Sequence, residues 1–321
     1  MKGQGKGLVY EIFRHFEKEE RFTLKDAYRA VPDKSKETIR ARIYEHLGVM
    51  FRRIGKGVYA AIQDGCTCVI MEGDGRDLSM LEDGSIDCII TDHPWLDMAA
   101  NKGGNRSFSQ YPCFRYTVED FREKARVLKD GSFLAEFIPA ENGSNFQYLF
   151  ELKKMAQECG FEYYCKVEWK KGTFTSNTGR KAKNTQDIMI FTKGKARCMR
   201  LDVKNSRVAG KERFMSGSSG MLPAMFDVEP VTRSRKVHQS ELPVSLCEQL
   251  LGYLTKEGEV ILDQFAGSGS IGVAAIRQKR SCILIESVHE YVGNIIKRLE
   301  GMGMTGSYIP ARQNGGKGYV I

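Results

Sequence analysis

The residues of this chain best suited to chemistry fall in two short strings. Thr91-Asp92-His93-Pro94-Trp95 follows the run Ile86-Asp87-Cys88-Ile89-Ile90, and Asp263-Gln264-Phe265-Ala266-Gly267-Ser268-Gly269 follows Val260-Ile261-Leu262. Both runs read as buried strands, so each string sits where a strand gives way to a turn. The first string offers a carboxylate (Asp92), a main-chain carbonyl (His93), a stiff turn (Pro94) and an aromatic plate (Trp95). An exocyclic amine on adenine or cytosine is a poor nucleophile, because its lone pair is delocalised into the ring. An acid and a carbonyl that accept its two N–H bonds draw the nitrogen toward tetrahedral geometry and stabilise the positive charge developing there. The indole face suits the stacking of an extruded base. Taken alone, such a string is more often an ordinary strand-end turn with an acid cap.

The second string is a glycine turn feeding a helix. Gly267 and Gly269 permit close approach of a ligand, and a helix beginning near Ser270 aims its N-terminal amides at the turn. A further strand, Cys282-Ile283-Leu284-Ile285, ends in Glu286, where an acid can meet ribose hydroxyls. Asp263 and Phe265 lead the turn in place of a dinucleotide signature, so a different nucleoside-bearing cofactor is expected.

These strings need a scaffold, and the apolar pattern supplies one. Strand-like runs at 67–71, 85–91, 132–138, 161–169, 186–192, 258–262 and 281–286 alternate with helical stretches at 117–129, 145–158, 242–255, 270–279 and 288–301. Alternation of this kind predicts an α/β, Rossmann-like domain over 66–321: a mostly parallel sheet with helices on both faces. Residues 170–236, rich in Lys, Arg, Gly and Ser, read as an irregular insertion, and the tail from Gly301 as loose.

Residues 1–62 read as a separate module, a small winged helix-turn-helix. A helix is expected from Leu8 to Glu19, a second after the capping-box start at Thr23, and a third from Lys36 to Leu47, closed by Gly48. A hairpin over Phe51–Ala61 carries a basic tip at Lys56. The third helix would present Lys34, Lys36, Thr38, Arg40 and Arg42 to a DNA groove. A protein-docking role suits the same module.

Charge is unevenly spread. Of the net +9, residues 1–62 contribute +6 and residues 166–213 contribute +10, leaving the remainder at −7. Two basic blocks flanking a base-gripping string favour a polyanionic partner, with Lys170, Lys171, Arg180, Lys181 and Lys183 as contacts in the second block. No apolar run is long enough to span a bilayer, and the start of the chain lacks a signal-peptide core, so a cytoplasmic location is expected. Nine cysteines without a C-x-x-C pair, and five scattered histidines, predict neither zinc nor disulfides.

In combination, these motifs resemble the β-class amino-methyltransferases, which modify DNA at adenine N6 or cytosine N4. Their acceptor motif, Asp/Ser/Asn-Pro-Pro-aromatic, precedes the glycine motif, as Asp92 precedes Asp263 here. The resemblance covers most of residues 68–300 and implies S-adenosylmethionine as cofactor and double-stranded DNA as substrate. It carries Asp74 and Gly75, within Gly73-Asp74-Gly75-Arg76-Asp77, over as contacts to the cofactor's adenine. Ser240 and Pro243, within His238-Gln239-Ser240-Glu241-Leu242-Pro243, become contacts to its methionine end, and 170–236 becomes the target-recognition region. His93 stands where the family has its first proline, Leu242 where it has a lysine, and Trp95 where tyrosine is commoner. An acceptor motif that begins with Asp leans toward adenine N6. Cytosine N4, adenine N6 in RNA (which Trp95 suits) and a catalytically silent DNA-binding regulator are the alternatives. The resemblance leaves a homodimer open, and no partner nuclease can be read from the chain.

Overall fold

The computed structural model describes residues 8–16, 19, 21–45, 51–55, 57–61, 66–95, 113–175, 181–206, 212–232, 234, 236–238, 240–302, 307–309 and 317–320. Residues 8–61 form a small unit of helices α1 (Leu8–Phe16), α2 (Leu24–Ala30) and α3 (Lys36–Glu45), with strands β1 (Phe22–Thr23), β2 (Phe51–Gly55) and β3 (Val58–Ala61). The strands pair antiparallel in the order β1-β3-β2, and β1 was not anticipated from the sequence. The start of α2 is set by a reciprocal cap between Thr23 and Asp26. The unit has its own core, built on Ile12, Phe16, Phe22, Ile39, Ile43, Phe51 and Tyr59. Helix α1 is described over Leu8–Phe16 and Glu19 is outside it, and the expected end of α3 at Leu47 and Gly48 lies outside the described residues.

The remaining chain builds a ten-stranded sheet and a separate antiparallel pair of strands. Its elements are β4 (Cys68–Glu72), β5 (Ile86–Thr91), α4 (Val118–Val127), β6 (Leu128–Pro139), α5 (Phe146–Glu158), β7 (Phe161–Thr175), β8 (Lys181–Lys193), β9 (Cys198–Leu201), β10 (Phe214–Ser216) and β11 (Met225–Asp227). There follow α6 (Val244–Leu254), β12 (Val260–Asp263), α7 (Ser270–Arg277), β13 (Ser281–Glu286), α8 (His289–Gly301), β14 (Ser307–Ile309) and β15 (Lys317–Val320). The order across the sheet is β11-β7-β8-β6-β5-β12-β13-β4-β15-β14, parallel through its centre from β6 to β4. The separate pair is β9 with β10.

Strand β5 shows why the centre is parallel and covered on both sides. All six of its residues are buried. Cys88 and Ile90 join one core with α6, α7 and α8; Ile86 and Ile89 join the other with α4 and α5. A strand apolar on both faces can sit only between two layers of helix.

Two segments differ from expectation. Residues 170–236 are not irregular throughout: β7 continues to Thr175, β8 starts at Lys181, and β11 pairs parallel with β7. Lysine-rich composition hid a strand pair whose alternate residues are held by the sheet. The glycine-rich tail likewise contributes a hairpin, with β15 antiparallel to β4.

The sheet also fixes where a ligand can bind. From β5 the chain proceeds through α4 to β6 on one side, and from β12 through α7 to β13 on the other. The carboxyl ends of β5 and β12 therefore flank a topological switch point, the usual crevice of open α/β sheets.

Candidate active site

Both chemistry-bearing strings emerge at this switch point. The Thr91 hydroxyl at the end of β5 donates to Asp263 Oδ1 at the end of β12, 3.1 Å away. Asp92 follows directly and accepts a hydrogen bond from the Gln186 side-chain amide at 3.4 Å. Gln186 lies on β8, opposite Pro139 of β6 and Trp169 of β7. Burial pushes the Asp92 carboxyl up to about 7; Lys171 and the Gln186 amide pull against it, and Glu136 adds to the rise. The Trp95 indole N–H donates to the Phe137 carbonyl at 3.2 Å, fixing the ring over the end of β6.

The His93 side chain turns the other way, into a buried polar cage. Its Nε2 lies 3.2 Å from the Tyr148 hydroxyl, its Nδ1 lies 3.8 Å from Glu136 Oε2, and its ring centroid is 4.1 Å from that of Tyr116. Glu136 is ion-paired with Lys124 and accepts from the Tyr116 hydroxyl at 3.3 Å. The Lys124 ammonium sits 3.6 Å from the centre of the Tyr116 ring. Burial opposes charge on Glu136, but Lys124 and His93 together outweigh it and hold the carboxyl below its ordinary value. Burial also pulls Lys124 and His93 below theirs, Glu136 notwithstanding. The imidazole therefore braces the turn from beneath.

The glycine turn is shaped by close approaches. Gly267 and Gly269 have φ of +51° and +74°, a backbone region that side chains rarely adopt, and Gly269 caps α7. A Cβ on Gly75 would come within 1.9 Å of the Gln264 carbonyl oxygen, so the Gly73–Arg76 loop seats against the turn only as glycine. The Gln264 amide returns a hydrogen bond to the Gly75 carbonyl at 2.7 Å. Arg76 then pairs with Asp120 at the start of α4, tying this loop to the acceptor side. Phe265 stands between the two ends, 5.5 Å from the Phe114 ring.

The acids here lack cations. Asp263 accepts from Thr91 and from the Phe265 backbone N–H, and burial still pushes it up to about 8, with Asp92 and Glu286 adding to the rise. Glu286 accepts from the backbone N–H groups of Gly267 (2.7 Å) and Val288 (2.8 Å), and burial raises it too. Among the described residues, neither acid forms an ion pair. The sequence reading left Glu286 free for a ligand; here it also holds the turn to β13. Ser240 is exposed, its N–H donating to His238 Nδ1 at 3.2 Å, while Pro243 is buried and caps α6. Asp74 is exposed and accepts from the Arg76 N–H at 2.9 Å.

Among the described residues, the basic candidates differ in their surroundings. Lys34, Lys36, Thr38, Arg40 and Arg42 are exposed along α3 and the turn before it, with Arg42 paired to Glu45. Lys170 is ion-paired with Asp227 at 2.6 Å. Lys171 sits with its ammonium 4.5 Å from the centre of the Trp169 ring and is half-buried. The expected contacts Lys56 and Arg180, and the side chains of Lys181 and Lys183, lie outside the described residues.

Sequence reasoning missed Gln186, Lys124 and Glu136. Glu136 alone carried a signal, as the lone charged residue of the apolar run Phe133-Leu134-Ala135-Glu136-Phe137-Ile138; Lys124 and Gln186 lie in polar stretches that gave none.

The sheet thus brings an acid-bearing turn and a glycine turn together at one switch point. The DNA methylase family model (N6_N4_Mtase) matches residues 86–298, well over half of the chain, and the chain belongs to that family. It is 27% identical over 231 residues to the type II methyltransferase M.HpaI of Haemophilus parainfluenzae, covering 70% of this chain and 71% of that one. Among solved structures, the M1.HpyAVI–SAM complex superposes with a TM-score of 0.50 at 20% identity, covering 72% of this chain and 98% of that one. The cytosine-N4-specific PvuII DNA methyltransferase gives 0.52 at 18% identity, covering 72% and 86%.

S-adenosylmethionine is the methyl donor of this family, and the residues present fit it. Its sulfonium and ammonium charges suit a cleft in which Asp263 and Glu286 are buried without cations, and its nucleoside suits a turn that tolerates no Cβ. Among the described residues, no helix is long and apolar enough to cross a membrane.

Proposed function

We propose that the protein methylates the N6 amino group of adenine in double-stranded DNA. The observation carrying this reading is the Thr91–Asp263 hydrogen bond, which sets the base-gripping acid one residue from the cofactor strand. S-adenosylmethionine supplies an electrophilic methyl group; Asp74, Gly75, Ser240, Pro243, Asp263, Phe265, Gly267, Gly269 and Glu286 are the residues that hold it.

Asp92 and the His93 carbonyl accept the two amine N–H bonds of a flipped base, and Trp95, anchored by Phe137, stacks on its face. The nitrogen lone pair forms the new N–C bond as the methyl–sulfur bond breaks and releases a neutral thioether, and the methylated nitrogen then passes its extra proton to solvent. Pro94 keeps the turn rigid, so alignment is established before the base arrives. The exposed basic residues of α3 supply sequence-independent grip on the phosphate backbone. The leading Asp in the acceptor motif favours adenine over cytosine.

The test is labelled S-adenosylmethionine with unmodified genomic DNA, followed by digestion to nucleosides. N6-methyladenine is expected; N4-methylcytosine would replace the base assignment. Asp92→Ala should lower transfer by about 10²–10³-fold or more while retaining cofactor binding by calorimetry. Equal turnover by mutant and wild type would remove Asp92 from the reaction.

A further inference from the structure

Lys170 and Lys171 are neighbours on β7, and a strand sends successive side chains to opposite faces. Lys170 meets Asp227 on the neighbouring strand β11. Lys171 shares its face with Trp169, two residues earlier, and rests its ammonium over that ring. Trp169 is 2% exposed, packs edge-on against Phe137 and donates its indole N–H to the Val228 carbonyl at 2.8 Å, so the platform is rigid. Directly across from Trp169 in the sheet is Gln186, the residue bonded to Asp92. Among the described residues, Lys171 forms no ion pair.

We propose that Lys171 is a positioning residue of the acceptor pocket: parked on Trp169, its ammonium faces the Asp92 carboxylate and keeps it in the charged form that accepts an amine N–H. It is therefore not the phosphate contact that its place in a basic block suggests. This inference rests on the base-methylation reading above.

Several charges surround Asp92, and they do not all act alike. Glu136 on β6 and Asp263 on β12 disfavour its ionisation. The Gln186 amide on β8 and Lys171 on β7 favour it. Lys236, from the segment before α6, opposes the charge on Lys171, as does burial, whereas Asp92 supports it. Among the described residues, Lys171 is thus the cation in the balance, and removing it raises an acid already held near neutrality.

The test is the pH profile of kcat with DNA and S-adenosylmethionine saturating, for wild type, Lys171→Met, Lys171→Gln and Lys171→Arg. Loss of the charge should move the acid limb up by about one pH unit and lower kcat roughly fivefold at pH 7, recovering toward wild type by pH 9. Arg should restore the wild-type limb. KM for DNA and the salt dependence of DNA binding should be unchanged. Cofactor binding by calorimetry establishes that each variant is folded; if Met does not fold, Gln carries the test.

An unmoved limb in a folded neutral variant overturns the proposal. So does a uniform loss of DNA affinity with a salt slope reduced by about one, the mark of a phosphate contact. A wild type that methylates no DNA removes the underlying reading as well. A methylating wild type with an unshifted variant removes this inference alone.

Discussion

Glu136 and Asp263 are both buried carboxylates at the same end of the sheet, and they are held in opposite ways. They sit on β6 and β12, the two strands flanking β5. Glu136 has an ammonium, an imidazole and a phenol around it, and is held below its ordinary value. Asp263 has a hydroxyl and one backbone N–H, and is pushed up to about 8 by burial. The difference separates scaffold from ligand site. Beneath the acceptor turn the charges are already matched, so the cage is complete within the chain. At the glycine turn the acid is unmatched, which suits the cationic ligand proposed above.

Breaking the matched side should have the largest effect. Lys124→Met leaves Glu136 buried without its cation and is expected to cost about 3–5 kcal/mol of stability. Adding Glu136→Leu should recover much of it, measured by urea denaturation of both variants. If the single and double variants unfold at the same urea concentration, the cage does not act as a pair.

A smaller effect is expected where the turn is shaped by approach rather than by charge. Gly75→Ala forces the Gly73–Arg76 loop off the Gln264 carbonyl. It should weaken S-adenosylmethionine binding by about tenfold or more, at an overpacking cost of roughly 1–3 kcal/mol in stability. Calorimetric titration reads the first and thermal melting the second. Unchanged affinity would separate this loop from the cofactor site.

The smallest effect sharpens the unmatched side. Asp263 is raised above its unfolded value, so the stability of its protonated folded form is fully present below about pH 4 and is lost as pH rises toward 8. Asp263→Asn removes that loss. Without ligand, its Tm should exceed wild type at pH 9 by at least roughly 2–4 °C, the shift that about 1 kcal/mol produces in a domain near this size. The gap should close toward pH 5, and cofactor affinity should fall. A Tm difference independent of pH would mean that Asp263 does not titrate in this range.

Much of this was legible before the structure. Thr23 with Asp26, the glycine turn and the doubly apolar β5 each announce themselves within a few residues, and each formed as read. The hairpin of β7 and β8 was not fully legible beyond residue 170, because lysine-rich strands look like loops until the partner strand is known. The inward turn of His93 was equally hidden; it depends on Tyr116, Glu136 and Tyr148, which the chain brings in from three later segments.

The sequence by itself determined the two strand-to-turn strings, their order, the α/β alternation and the caps, since strand period, turn chemistry and capping act over a handful of neighbouring residues. Only the tertiary structure decided which charges meet. Lys124 with Glu136, Gln186 with Asp92, and Lys171 rather than Lys170 over Trp169 all follow from how the strands pair and the helices pack on them. Those pairings span 12 to 94 residues along the chain, and no local preference encodes them.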